Sequence, residues 1–384
     1  MQRLAPLTAA LLLSACQNGG PANASAPTPA ASTAPATAAA PDRAFAREEI
    51  ARFDEPWAMA FLPDGRLLVT EKSGDLKLFD PAAGTTTEIG GVPKVAYGGQ
   101  GGLGDVALHP RFADNGLVYF SYAEAGDGGT RGAVVARARL DIAAANPRLA
   151  DVQTIWQQVP KVSGGGHYAH RILFAPDGKL FISSGDRQKF DPAQDMQSNM
   201  GKIVRLEDDG RLPADNPFAA QGGVAAQVWT LGHRNPLGIA FDAGGQLWSH
   251  EMGPKGGDEF NRVVPGDNYG YPIVSNGDHY DGRPIPDHDT APQYHAPAIT
   301  WTPVISPSSM IFYSGAMFPE WQGRALIGGL SSKALVVVEV DGETAREAAR
   351  HDMGERIRAV AQGPDGAVWL LEDGKNARLL KLTP

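Results

Sequence analysis

Residues 58–70 read Ala-Met-Ala-Phe-Leu-Pro-Asp-Gly-Arg-Leu-Leu-Val-Thr, two apolar runs separated by Pro-Asp-Gly. The same pattern recurs at residues 172–182 and 360–370. A proline followed by Asp-Gly is typical of a tight turn, because proline presets its own φ and glycine tolerates positive φ. Each copy therefore predicts an antiparallel hairpin of two short strands.

Weaker copies of this hairpin pattern lie at residues 104–120, 239–248 and 310–328, which makes six repeats in all. The segments between them show almost no helical periodicity. The pattern predicts an all-β fold, a six-bladed β-propeller in which each blade is a four-stranded antiparallel sheet. The alternative is a pair of β-sandwiches, which does not explain why polar residues recur at the same place in successive repeats.

The first residues have the composition of a targeting segment. Residues 4–13 form an apolar run that is too short to span a membrane, and it leads into Leu-Ser-Ala-Cys at residues 13–16. Cys16 is the only cysteine, so no disulfide can form within the chain. Its position after small residues resembles the site at which bacterial lipoproteins are cleaved and acylated. Residues 1–16 are therefore predicted to be a lipoprotein-type signal peptide; an ordinary signal peptide with a chance cysteine is the alternative.

Residues 17–43 are predicted to be a disordered linker rich in alanine and proline, and residues 44–384 a single propeller domain. A lipid anchor at Cys16 would tether this domain to the outer membrane, in the bacterial periplasm or cell envelope. The net charge of −9 and the lack of a basic stripe argue against a nucleic-acid partner. No glycine-rich phosphate loop follows a strand, which argues against nicotinamide or ATP chemistry.

Propellers bind ligands at the mouth of the central channel, on loops that lead into the innermost strands. Polar residues precede successive repeats at corresponding positions, so we expect them to converge there although they are far apart in the chain. These residues are Gln100, His167, His170, Arg234, Asn235, Arg356 and Arg358.

Residues 44–384 resemble the soluble pyrroloquinoline quinone (PQQ)-dependent sugar dehydrogenases, which include soluble glucose dehydrogenase, aldose sugar dehydrogenases and sorbosone dehydrogenase-like proteins. Several motifs match this family in the same order along the chain. They are Gly-Gln-Gly-Gly-Leu-Gly at 99–104, His167, Ser-Gly-Asp at 184–186, Arg-Asn at 234–235, Gly-Pro at 253–254 and Arg-Ile-Arg at 356–358.

The resemblance implies the residues that carry the reaction. His167 matches the histidine that takes the proton of the anomeric hydroxyl while hydride passes to the quinone C5, and Asp186 matches the carboxylate that orients it. Arg234 matches the cation that stabilises the negative charge developing on the quinone. The resemblance also implies a set of cofactor-binding residues, which are Gln100, Arg234, Asn235, Arg356 and Arg358. Guanidinium groups suit a planar tricarboxylate such as PQQ, because they bind carboxylates in bidentate fashion.

The resemblance also implies metal ligands. Gly253 and Pro254 match the positions whose backbone carbonyls hold a catalytic Ca²⁺ against the quinone, where the ion acts as a Lewis acid. Glu259 and the backbone of Tyr269 resemble a second, structural calcium site. His167 and His170 have the spacing of a transition-metal pair, but no third ligand stands at an informative spacing, which argues against zinc.

Two positions depart from the family pattern. Leu237 stands where glutamine often follows Arg-Asn-Pro, and Ser331 replaces a lysine common near the fifth repeat. Lys333 lies two residues further on, a shift of about 7 Å along a strand. Cofactor affinity and substrate range are the properties most affected by these changes.

The resemblance therefore implies an enzyme, a PQQ- and calcium-dependent aldose dehydrogenase that oxidises sugars at the anomeric carbon to lactones and passes electrons to an external acceptor. The loop from Asn276 to Pro297 is expected to influence which sugar binds. Two alternatives remain open: a calcium-dependent lactone or ester hydrolase on the same propeller, and a non-catalytic binding propeller. The hydrolase would need a carboxylate-rich calcium cage at the channel centre, and the binding protein would not need His167 and Asp186.

Overall fold

The structure is a computed structural model that describes residues 45–143 and 146–384. The signal peptide, the Cys16 anchor and the linker predicted for residues 1–43 lie outside the described residues. In the part of the chain that is described, no helix is both long and apolar enough to cross a membrane.

Within residues 45–143 and 146–384, twenty-four strands form six four-stranded antiparallel sheets, as predicted. The strands are β1 Ala46–Phe53, β2 Pro56–Phe61, β3 Leu67–Glu71, β4 Leu76–Asp80, β5 Thr85–Ile89, β6 Leu103–Leu108, β7 Leu117–Ala125, β8 Arg131–Asp141, β9 Arg148–Gln157, β10 Ala169–Phe174, β11 Leu180–Ser184, β12 Lys202–Leu206, β13 Val228–Leu231, β14 Pro236–Phe241, β15 Leu247–Glu251, β16 Asp258–Arg262, β17 Ile299–Trp301, β18 Pro307–Phe312, β19 Ala325–Gly329, β20 Ala334–Asp341, β21 Thr344–Asp352, β22 Ile357–Gln362, β23 Val368–Glu372 and β24 Ala377–Thr383.

Helical structure in the described residues is limited to single turns. One α-helical turn, α1, spans Phe112–Asn115, and the 3₁₀ turns are Asp127–Gly129, Asp191–Ala193, Ala219–Gln221, Ala225–Gln227, His288–Thr290 and Pro319–Trp321. These turns lie between strands, so the architecture is that of a β-propeller.

The six sequence repeats form the first hairpin of each sheet: β2–β3, β6–β7, β10–β11, β14–β15, β18–β19 and β22–β23. In the first of these hairpins Gly65 has a φ of +89°, the positive value that the Pro-Asp-Gly pattern predicts. The sequence pattern thus located the inner half of every blade.

Ring closure joins the two ends of the described chain. The amino-terminal strand β1 pairs with the carboxy-terminal strand β24, so the last sheet has the order β1-β24-β23-β22. First strands of successive sheets contact each other around the ring, for example β2 with β6 and β18 with β22. These first strands therefore surround the central channel.

Every first strand carries a β-bulge close to its beginning. The extra residues include Trp57, His170, Leu237 and Arg358, all of which line one cavity at the channel mouth. A bulge frees backbone from the regular pairing and changes the direction of a side chain, so this repeated irregularity presents side chains to the channel.

A buried arginine ties the sheets together inside the channel. The guanidinium of Arg171 donates to the backbone oxygens of Leu237 at 2.7 Å and Ser308 at 2.8 Å, and it pairs with Asp105 at 3.2 Å. It also lies over the ring of Trp57, 3.9 Å from its centroid. Together with its own sheet, Arg171 thereby connects five of the six sheets.

Candidate active site

Two cavities lie at the mouth of the channel. The axial cavity, of about 360 Å³, is lined among others by Gln100, His170, Leu237, Arg356 and Arg358. The rim cavity, of about 240 Å³, is lined among others by His167, Phe190, Arg234, Pro254 and Tyr280. Some of the predicted site residues therefore line two adjoining spaces, whereas the others line neither: Asp186, Asn235, Gly253, Glu259 and Tyr269.

Direct contacts connect the walls of the two cavities. The side-chain oxygen of Gln100, in the axial cavity, accepts the backbone N–H of His167 at 2.7 Å. The guanidinium of Arg234, in the rim cavity, donates to the backbone oxygen of Met252 at 2.8 Å, and Met252 lines the axial cavity. A planar ligand held at the axial cavity would thus lie next to groups of the rim cavity.

A histidine–carboxylate pair forms one wall of the rim cavity. Nδ1 of His167 lies 2.7 Å from Oδ1 of Asp186, and both side chains are buried. Because the carboxylate accepts the Nδ1 proton, the neutral ring carries a free electron pair on Nε2. This is the tautomer that a general base requires.

The backbone around His167 is tightly constrained. His167 has a φ of +49°, which is unusual for a residue other than glycine. Gly185 lies directly against it, since a Cβ at this position would be 2.1 Å from the backbone oxygen of His167. The buried guanidinium of Arg187 holds the preceding loop by donating to the backbone oxygens of Gly164 and Gly166, at 2.7 and 2.8 Å.

Burial lowers the pKa of His167 below its usual value, because the charged imidazolium loses its hydration. The hydrogen bond to Asp186 opposes this shift, and the nearby charge of Arg234 adds to it. The imidazole is therefore neutral at neutral pH and free to accept a proton.

Arg234 and Asn235 carry unused hydrogen-bonding capacity. Within the described residues, Nε of Arg234 and both amide atoms of Asn235 are buried without a hydrogen-bond partner. The second Nη of Arg234 lies 3.3 Å from the hydroxyl of Tyr280. Buried polar groups left without partners are costly, so these atoms indicate a place for a polar ligand.

Arg356 and Arg358 meet at one carboxylate in the axial cavity. Nε of Arg356 donates to Oδ2 of Asp373 at 2.8 Å, and Arg358 donates twice to Oδ1 at 2.9 and 2.8 Å. Burial raises the pKa of Asp373, but the two arginines outweigh it and hold the pKa below its usual value. Together with Lys72, which lines the same space, they give the cavity three cations against two carboxylates, Asp373 and Glu55.

The predicted calcium residues lie in different surroundings. Pro254 lines the rim cavity, and the N–H of Gly253 donates to Asp258 at 2.9 Å. Glu259 is buried beside Asn261, and burial together with the Glu251 carboxylate raises its pKa well above the usual value. The backbone oxygen of Tyr269 accepts a hydrogen bond from His288 at 3.0 Å. Among the residues that the structure describes, no group of three or more histidine, cysteine or acidic residues forms a metal cage.

The other histidines of the motifs have structural partners. His170 is fully buried, stacks on Trp57 with centroids 4.9 Å apart, and lies 2.6 Å from the hydroxyl of Ser121. His233 is held between Thr230 at 2.9 Å and Glu251 at 2.8 Å. These contacts hold both rings in place; His170 lines the axial cavity, and His233 lines neither cavity.

The sequence model described as glucose/sorbosone dehydrogenase matches residues 53–381. The chain belongs to the glucose/sorbosone dehydrogenase family. The sugar dehydrogenase class predicted from the sequence is thereby confirmed.

Relatives within this family match over nearly the whole propeller. An aldose sugar dehydrogenase (YliI) of Escherichia coli K12 is 39% identical over 341 residues, which covers 87% of this chain and 91% of the relative. The structure of the soluble E. coli aldose sugar dehydrogenase in its apo-form superposes with a TM-score of 0.85 at 39% identity, covering 89% of this chain and all of the other. The PQQ-bound aldose sugar dehydrogenase of Streptomyces coelicolor superposes with a TM-score of 0.74 at 28% identity, covering 90% and 99%.

The residues that depart from the pattern of this family have different surroundings. Leu237 is buried and lines the axial cavity, where it adds apolar surface. The hydroxyl of Ser331 donates to the backbone oxygen of Val304 at 3.1 Å. Lys333 donates to the backbone oxygen of Gly354 at 3.2 Å and faces Glu355 at 3.7 Å. Its ammonium thus points to a surface loop instead of replacing the lysine of the family.

Sequence reasoning missed several residues of these cavities. Lys72, Met252, Leu330 and Asp373 each follow directly after the second strand of a sheet and line the axial cavity. Aligning the repeats at the end of the second strand, as well as at the start of the first, would have found them. Phe190, which lines the rim cavity, stands in a loop without a repeat counterpart. Tyr280 lines the same cavity from the loop of residues 276–297, which the sequence had indicated as a loop that influences sugar binding.

Proposed function

We propose that this protein oxidises aldoses at the anomeric carbon to lactones, with PQQ and Ca²⁺ as cofactors and an external electron acceptor. The observation that carries the proposal is the His167–Asp186 pair beside the cationic axial cavity. The neutral base can remove a proton from a sugar, and the cationic cavity beside it can hold an anionic cofactor that accepts the hydride. Membership of the family and the likeness to a PQQ-bound relative support the choice of cofactor.

The residues present fit PQQ. A tricarboxylate needs cationic donors, and Arg356, Arg358 and Lys72 supply them at the axial cavity. Quinone oxygens need hydrogen-bond donors, and the unpartnered nitrogens of Arg234 and Asn235 are available. When bound, PQQ supplies an acceptor for the two electrons that leave the sugar.

His167 performs the proton transfer in this proposal. Nε2 accepts the proton of the anomeric hydroxyl, and the Asp186 carboxylate stabilises the imidazolium that forms. The C1 hydrogen leaves with both electrons, so the aldose loses two electrons and two hydrogens and becomes a lactone. The Arg234 guanidinium stabilises negative charge that develops at the acceptor oxygens.

We assign the catalytic calcium to the backbone oxygens of Gly253 and Pro254. Carbonyl oxygens are hard donors that suit Ca²⁺, and the ion would polarise a carbonyl bound beside them. The described residues provide no group of three or more histidine, cysteine or acidic residues, so backbone oxygens would be the protein's contribution to holding the ion. The second site at Glu259 and Tyr269 is proposed on the resemblance alone.

We place the enzyme in the periplasm or cell envelope, anchored through a lipid on Cys16. The proposal rests on the sequence of residues 1–16 and on the need of the reaction for an external electron acceptor. Fractionation of cells that produce the full chain, with the protein followed in membrane and soluble fractions, tests this location.

Product analysis tests the reaction. The PQQ- and calcium-loaded protein, supplied with an aldose and an artificial electron acceptor, is expected to form one lactone for each pair of electrons transferred. In a parallel assay, the protein without PQQ is given a lactone or an aryl ester. If the protein hydrolyses the lactone or ester and does not reduce the acceptor in the presence of an aldose, it is a hydrolase and not a dehydrogenase. Binding of sugar with neither reaction would favour the binding propeller.

Asp186→Asn is expected to lower kcat by about 10²–10⁴-fold, because an amide no longer selects the Nδ1–H tautomer of His167 or stabilises its imidazolium. The Asp186 hydrogen bond raises the pKa of His167 against the effect of burial, so its removal shifts that pKa further down. Titration of the His167 ring signals by NMR, in the cofactor-free wild type and variant, measures this shift. A His167 pKa that stays constant or rises in the variant would contradict the assigned pairing.

A further inference from the structure

The segment that follows Asp186 has an unusual backbone. Arg187, Gln188 and Phe190 all have positive φ, and Phe190 combines a φ of +62° with a ψ of −87°. Non-glycine residues adopt such conformations only where surrounding contacts impose them, often at ligand sites. The question is what this segment presents to its surroundings.

Buried groups fix the segment at both ends. The Asp186 carboxylate, besides holding His167, accepts the backbone N–H of Gln188 at 3.0 Å and of Phe190 at 3.4 Å. At the other end the buried ammonium of Lys202 donates to the backbone oxygens of Pro192 at 2.7 Å and Ala193 at 2.9 Å. The position of Phe190 is therefore imposed by the framework that also sets the base.

Phe190 uses this position to expose an aromatic ring in the rim cavity. The residue is 41% exposed, whereas a ring of this size normally packs in a core. Its ring lies 5.7 Å from that of His279 and 6.3 Å from that of Tyr271, two rings that line the same cavity. His167 and Arg234 line the same cavity.

We propose that Phe190 is the platform on which the ring of the reacting aldopyranose lies, an inference that rests on the proposed function. A pyranose with equatorial hydroxyls presents a face of C–H groups that packs on an aromatic ring while its hydroxyls point sideways. The cavity, at about 240 Å³, is below the roughly 300–1,000 Å³ typical of pockets for drug-sized ligands, which suits a single sugar ring.

The platform also sets the class of substrate. An axial hydroxyl on the face that meets Phe190 would be pressed against an apolar ring without a hydrogen-bond partner, which is unfavourable. The site therefore selects aldopyranoses whose hydroxyls are equatorial over epimers with an axial hydroxyl on that face. Asp186 links this selection to the chemistry, since one carboxylate holds both the base and the platform.

The test compares Phe190→Ala and Phe190→Tyr with the wild type, using the full chain loaded with PQQ and calcium. Three quantities are measured: KM and kcat for D-glucose, and, by calorimetry, the Kd of 1,5-anhydroglucitol, which lacks the anomeric hydroxyl. Phe190→Ala is expected to raise KM and Kd about tenfold with little change in kcat. Phe190→Tyr keeps the ring and is expected to resemble the wild type. Leu212→Ala, at an exposed apolar residue on another loop, is the matched control and should change none of the three values.

The outcomes separate this inference from the proposed function. If the wild type oxidises glucose but Phe190→Ala leaves KM and Kd unchanged, or lowers only kcat, the platform is wrong and the dehydrogenase stands. If the wild type binds the anhydro sugar through Phe190 without oxidising glucose, the platform stands and the proposed reaction fails. A wild type that binds no sugar overturns both.

Discussion

His167→Ala is expected to lower kcat for aldose oxidation by about 10²–10⁴-fold at saturating PQQ, the range for loss of a general base. The reason is the geometry of the pair: Asp186 occupies Nδ1 at 2.7 Å and leaves Nε2 as the acceptor in the rim cavity. PQQ affinity should change little, because the cationic residues of the axial cavity remain. Steady-state kinetics of the cofactor-saturated variant measure the first value, and a PQQ titration measures the second.

His109→Ala is the matched control for this variant. His109 also lies beside a carboxylate, Asp208, at 3.3 Å, but it lines neither of the two cavities. Its removal should leave kcat unchanged. If the His167 variant kept a rate close to that of the wild type at saturating PQQ, the base would have to be another group.

Removing both axial arginines, Arg356→Ala with Arg358→Ala, is expected to weaken PQQ binding by about 10²–10⁴-fold. Hydrogen bonds to charged groups contribute about 1.5–3 kcal/mol each, and the double variant leaves Asp373 facing the cofactor without its cationic partners. The charged residues that remain in the cavity are then Lys72, Asp373 and Glu55, and their net negative charge is unfavourable for a tricarboxylate. The Kd for PQQ, measured by calorimetry at fixed ionic strength, tests this expectation.

Lys333→Ala controls for the loss of a positive charge as such. Its ammonium is directed to Gly354 and Glu355, so PQQ affinity should stay constant. With saturating PQQ the arginine double variant should regain most of its kcat, since His167 and Asp186 are intact. An unchanged Kd in the double variant would mean that the cofactor carboxylates bind elsewhere.

The fold was predictable because short segments of the sequence specify its turns and strands. Pro-Asp-Gly at residues 63–65 specifies a turn through the conformations open to proline and glycine, and the alternating residues around it specify two strands. The repeat count then predicted the number of blades. The bulge that presents Trp57, Leu237 and Arg358 to the channel was not predictable, because the turn and the alternating residues of a repeat do not specify where the pairing of its two strands shifts register.

The candidate site was predictable only where a motif carried it. His167, Asp186, Arg234 and Arg358 were found by family motifs, and the structure places them in or behind two adjoining cavities. Asp373 could not be recognised from the sequence, because its two arginine partners precede it by more than ten residues along the chain.

Phe190 was missed for a different reason. Its exposure follows from a backbone that Asp186 and Lys202 impose from opposite ends, and such distant constraints leave no local pattern. A single aromatic residue in a polar loop is equally compatible with packing against the core. Only the three-dimensional contacts show that the ring faces the same space as His167.

A single-turnover experiment tests the central claim most directly. The protein loaded with PQQ and calcium is mixed under anaerobic conditions with one equivalent of D-glucose, with no other acceptor, and the absorbance of the bound quinone is followed. The account predicts stoichiometric reduction of the quinone with formation of one lactone, and a rate about 10²–10⁴-fold lower in His167→Ala. Bound quinone that stays oxidised in the presence of each tested aldose would contradict the assignment of this propeller as a PQQ-dependent sugar dehydrogenase.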